Sequence, residues 1–116
     1  MRAIKRQLAL CSVTAVLWIA PALTVAAPKA ASAEECFYAA DIALTTRSMI
    51  LERVNEDTIR AVLLLMYRAD TAPAWITAIM DSAKLDKRNP QDYAKALYAH
   101  CTQNRGGMDA FFGLGA

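Results

Sequence analysis

The apolar positions of the chain fall into one continuous run and four periodic stretches. The run extends from Leu8 to about Val25, broken only by Ser12, Thr14, Pro21 and Thr24. The periodic stretches follow. Over residues 36–54, Cys36, Ala40, Ala43, Arg47, Ile50 and Val54 share one line at 100° per residue, with Leu44 and Leu51 beside it. Asp41, Thr45, Ser48 and Glu52 lie opposite, so the stretch reads as an amphipathic helix. Glu34 and Glu35 stand at its start, where acids suit the positive end of the helix dipole. A second line on the same helix, Tyr38, Ile42 and Met49, points away from that core stripe.

Asn55-Glu56-Asp57 interrupts the period, with Asp57 read as the cap of a second helix from Thr58 to about Ala69. That helix, containing AVLLLMY, is apolar nearly all round and is expected to sit centrally. Leu and Met favour helix over a buried strand there. Pro73 suits the first turn of a third helix, Ala74 to Lys84, with Trp75, Ile76, Ile79, Met80 and Ala83 on one side. A charged loop leads to Asn89-Pro90-Gln91-Asp92, which reads as a cap, a first-turn proline and a first-turn acid. The fourth helix runs to about Asn104, with Tyr93, Ala94, Leu97, Tyr98 and Cys101 on its apolar side, and Arg105-Gly106-Gly107 ends it.

The leading apolar run changes the picture of the mature protein. Arg2, Lys5 and Arg6 precede it, and Ala31-Ser32-Ala33 follows. Basic start, apolar middle and small-residue end make a secretory leader over residues 1–33, with cleavage expected between Ala33 and Glu34. A cut after Ala27 is disfavoured because Pro28 would follow it. The alternative is an uncleaved leader that anchors the protein in the inner membrane. Leu10 stands where a lipobox needs a small residue, so Cys11 is read as filler of the leader. The expected organisation is a leader (1–33), a helical domain (34–105) and an apolar tail (106–116). Export places the domain in the periplasm or outside the cell, with no stable membrane insertion once the leader is gone.

The precursor carries 13 basic and 11 acidic residues, a net charge of +2. Removing 1–33 takes four basic residues and no acid, leaving nine against eleven, about −2. The domain has no basic cluster, which argues against nucleic acid as a partner. Two cysteines stay, Cys36 and Cys101. In a small exported domain they are expected to form one structural disulfide. Cys36 opens the first helix and Cys101 nears the end of the fourth, which an up-down-up-down bundle brings to the same end. The expected fold is therefore all-α, a compact, splayed, four-helix bundle-like domain with one disulfide joining the first and last helices.

Candidate chemistry is sparse. The cysteines are too far apart in sequence for a dithiol redox pair, and His100 is the sole imidazole, too little for a zinc site. The methionines do not recur at a copper-binding spacing and read as core filler. No catalytic residue, cofactor or metal ligand is assigned, and the chain is read as a non-enzyme. Arg47, near the centre of the inward stripe, is expected to pair with an acid such as Asp70, Asp81 or Asp92, or else to hold an anion. Tyr38, Ile42 and Met49, with Phe111, Phe112 and Leu114 of the tail, form the candidate partner surface. The tail either packs back on the bundle or docks on another protein.

The Cys36, Arg47 and Tyr98-Ala99-His100-Cys101 framework resembles a group of small exported two-cysteine, all-helical proteobacterial proteins of unknown function. The resemblance implies an envelope location and a disulfide. In size and one-disulfide helical make-up the chain is also similar to periplasmic acid-stress chaperones, though its cysteine spacing is longer. The expected function is binding or adaptor work in the envelope, on another envelope protein or a second copy of the chain. The alternative is an acid-type stress chaperone.

Overall fold

A computed structural model describes residues 26–114. The basic start, the whole apolar run from Leu8 to Val25 and Cys11 lie outside the described residues. Five helices follow in order: α1 (Ala33–Leu51), α2 (Glu56–Met66), α3 (Ala72–Leu85), α4 (Pro90–Gln103) and the single turn α5 (Asp109–Phe112). Among the described residues there is no strand.

Local chemistry explains the helix starts. Ser32 caps α1, its Oγ accepting from the Glu35 amide at 3.2 Å, while the Glu35 carboxylate accepts from the Ala31 amide at 2.8 Å. This is a variant of the capping box, reaching one residue further back. Asn55, rather than Asp57, caps α2, accepting from the Thr58 amide at 2.9 Å. Asp57 instead lies in the first turn, where its charge suits the dipole. Asn89 caps α4 through the Asp92 amide as its sequence signature predicts, and Pro73 lies in the first turn of α3.

The helix at the centre is α1, not α2. It packs most extensively on α4 and α3 and more lightly on α2. Ala39, Ala40 and Ala43 let the neighbouring helices approach closely, and Ile42 and Thr46 are fully buried among them. α2 commits only Ile59 and Leu63 to the core, and Tyr67 follows at its C-cap. Leu65 and Met66 are left 71% and 54% exposed, so an all-round apolar sequence here marks an uncovered face instead of a central position. α3 supplies the bulk of the core with Trp75, Ile76, Ile79 and Met80, closed by Tyr93 and Leu97 of α4.

Cys36 and Cys101 are bonded, with Cα atoms 5.7 Å apart, and both are buried. The crosslink joins the start of α1 to the end of α4, the bundle end that the helix order brings together. The tail folds back: Met108 is buried, and α5 lies on α3.

Candidate functional site

A groove lies open along the seam between α1 and α4. Cβ atoms one helical turn apart put Phe37, Ala40, Asp41 and Leu44 along one flank of α1. Ala94, Lys95 and Tyr98 form the matching flank of α4. Between them runs a groove of about 560 Å³, in the size range of ligand clefts. Ala40 is buried and Ala94 half-buried, so two methyl groups line its deepest part. Phe37 is 65% exposed and Tyr98 36%, and their rings meet edge to face with centroids 6.3 Å apart. That geometry suits two aromatic quadrupoles.

Two charges edge the groove. Lys95 is exposed. Asp41 is held in place, because its Oδ2 accepts from the Tyr67 hydroxyl at 2.8 Å, which also meets Thr45 Oγ1 at 2.9 Å. Burial is the main reason the Tyr67 hydroxyl is pushed up to about 12, and the neighbouring Asp41 carboxylate adds to it. The network therefore keeps a neutral phenol and leaves Asp41 available to the groove.

Other expected site residues lie elsewhere. Ile42 is fully buried, Tyr38 meets Tyr67 edge to face and Trp75 at a tilt, with ring centroids 5.6 and 6.2 Å apart, and Met49 packs on the core. The line they form faces α2 and α3, not solvent. A helix covered on three sides buries more than one stripe, which a single-stripe reading of α1 misses. Phe111 lies against Tyr93, His100 and the Arg88 guanidinium, each 5.6–5.7 Å from its ring. Phe112 packs partly on the core and Leu114 is half-buried, so the tail is part of the domain instead of a free docking peptide. His100 is a flank residue that supports Phe111.

Arg47 is 7% exposed and has no acid within ion-pair distance among the described residues. Its Nε donates to the Arg88 carbonyl at 2.8 Å and its Nη1 to the Ala83 carbonyl at 3.2 Å. A planar guanidinium thus satisfies the end of α3 and the loop beyond it, where the helix dipole favours a cation. The expected pairing with Asp70, Asp81 or Asp92 is replaced by two carbonyls. Both contacts tie α1 to the end of α3 and the loop after it.

Residues at the groove were present in the sequence, but their exposure was not readable there. Phe37 falls between the two apolar lines of α1, so periodicity gives it no signal. Tyr98 shares the apolar side of α4 with Leu97 and Cys101 in sequence, yet it lies at the groove's edge and is exposed. Among the described residues, no group of three or more His, Cys, Asp or Glu side chains is arranged to hold a metal ion. No described helix is long and apolar enough to cross a membrane.

Compared with known proteins, the chain matches no family model, no curated protein and no solved structure. The functional reading therefore stands on the residues themselves.

Proposed function

We propose that this protein is an exported, non-enzymatic binding module of the cell envelope that holds an apolar peptide segment of a partner protein in the α1–α4 groove. The observation that carries the reading is the pairing of two exposed aromatic rings, Phe37 and Tyr98, over a groove floored by Ala40 and Ala94. Large exposed rings over small residues make an anchor pocket of the kind that concentrates binding energy. Asp41 and Lys95 offer one charge of each sign for orienting a bound segment. Export is supported by the basic and apolar leader pattern in the sequence and by the Cys36–Cys101 bond, which persists in oxidising compartments.

The test is a pair of substitutions, Phe37→Ser with Tyr98→Ser. Both side chains are exposed, so the fold is expected to change by less than about 1 kcal/mol. Binding of the apolar dye 1-anilinonaphthalene-8-sulfonate to the folded protein should fall several-fold. A partner captured from envelope extract by the wild type should be lost. Retention of the dye signal and of the same partner in the double variant contradicts the reading.

A second reading, a stress chaperone, is favoured by α2. Leu64, Leu65 and Met66 are exposed, and the ionic tie of α2 to α3 is a half-exposed pair, Lys84 Nζ to Glu56 at 3.3 Å. Such a pair holds α2 only weakly. Release of α2 in acid would bare Ile59 and Leu63 as well. This reading requires loss of helical or near-ultraviolet circular dichroism between pH 7 and pH 2, and unchanged spectra remove it.

A further inference from the structure

Residues 27–32 are built into the domain. The Ala27 amide donates to Asp109 Oδ1 at 2.7 Å. The Pro28 carbonyl accepts from the indole Nε1 of Trp75 at 2.8 Å. Ala30 is buried, and its amide donates to the Gly106 carbonyl at 2.9 Å. Gly106 has φ +92°, and a Cβ there would strike the carbonyl of Ala30. A glycine is needed where one backbone approaches another this closely. Ser32 and the Ala31 amide then complete the cap of α1.

A cut between Ala33 and Glu34 would remove every one of these partners. It would take the acceptor from the indole N–H of Trp75, uncover apolar surface that the segment covers, such as that around Ala30, and strip α1 of its cap. Exposing apolar surface costs stability, and so does a missing cap. Asp109 adds an independent pointer. Its half-buried carboxylate makes one hydrogen bond, to the Ala27 nitrogen, and has no basic side chain in ion-pair range among the described residues.

We propose that the leader is removed between Ala26 and Ala27, and that the new α-ammonium of Ala27 is the ionic partner of Asp109. The inference rests on the export reading above. A leader peptidase would add water across the Ala26–Ala27 amide. The C–N bond breaks, Ala26 keeps the hydroxyl oxygen as a carboxylate, and the Ala27 nitrogen takes the protons and becomes an ammonium. The 2.7 Å N···O separation already matches a charge-assisted bond.

The sequence around this bond can be read by such an enzyme. Thr24 and Ala26 are the small residues before it, and Pro28 is one position beyond the first mature residue, where it does not block the cut. The apolar segment Leu8–Ala20 has 13 residues, within the usual length for a leader. Pro21 ends it five residues before Ala26, but twelve before Ala33.

The experiment is to express the full precursor in a bacterium, isolate the protein from the envelope fraction, and read its first residue by N-terminal sequencing and intact mass. Ala27 is expected. A first residue of Glu34, or any other position beyond Ala27, overturns the inference while leaving export intact. A chain still starting at Met1 overturns export and the inference together. In the same exported protein, Asp109→Asn is expected to lower the thermal midpoint by roughly 4 °C or more, and an unchanged midpoint overturns the ammonium–carboxylate pair.

Discussion

Arg47 couples three elements through one side chain. It leaves the middle of α1, closes the carbonyl end of α3 at Ala83 and pins the loop at Arg88. Arg47→Met keeps much of the volume but leaves the Arg88 carbonyl without its donor and the Ala83 carbonyl with only the long bond from the Asp86 amide at 3.4 Å. Hydrogen bonds to a charged donor are worth about 1.5–3 kcal/mol each, so losing two is expected to cost roughly 3–6 kcal/mol in urea unfolding. Arg47→Lys keeps the charge but lacks the planar fork that spans both acceptors, and should recover only part of the loss. A midpoint unmoved by Arg47→Met would show that the carbonyls find water instead. The sequence marked Arg47 as a charge on an apolar stripe and so flagged it as special. It could not show that backbone carbonyls, not an acid, satisfy it, because those acceptors exist only once α3 has ended beside α1. Ile42 misled for a related reason: its exposure depends on how many helices cover α1, a property of the fold and not of the stripe.

At the level of the helices, two tyrosines tie neighbours together. Tyr67 fixes the end of α2 to α1 through Thr45 and Asp41, and Tyr93 fixes α4 to α3 through Ser82 Oγ at 2.9 Å. Burial is the leading reason both hydroxyls are pushed up to about 12 from the usual 10, and the folded protein holds these protons more tightly than the unfolded chain. Their contribution is therefore complete below about pH 10 and is lost as pH rises toward about 12. Stability followed by urea unfolding should be flat on this account up to about pH 9 and fall steeply between pH 10 and 12. Tyr67→Phe with Tyr93→Phe should flatten that fall. An equal fall in the double variant would assign it to other groups. Helix starts were legible in the sequence where a side chain caps its own backbone, as at Asn89-Pro90. The depth of α2 was not, because an apolar sequence records what could be buried and not what a neighbour covers.

The molecule as a whole is a small domain clamped at one end and open along one seam. The crosslink closes a loop with a sequence separation of 65, for which chain entropy gives about 4 kcal/mol. That is much of what a domain of this size can muster, so reduction should leave it largely unfolded. The all-helical class and the pairing of Cys36 with Cys101 were readable in the sequence, since periodicity and two cysteines left little choice. The α1–α4 groove was not, because it arises from which flanks of two helices remain uncovered after α2, α3 and α5 have taken their places.

The most direct test is thiol labelling of the protein isolated from the envelope, read by intact mass before and after reduction. No label is expected before reduction and two labels after it, on Cys36 and Cys101, with Cys11 gone along with the leader. Two labels without reductant, or a third on Cys11, would contradict it.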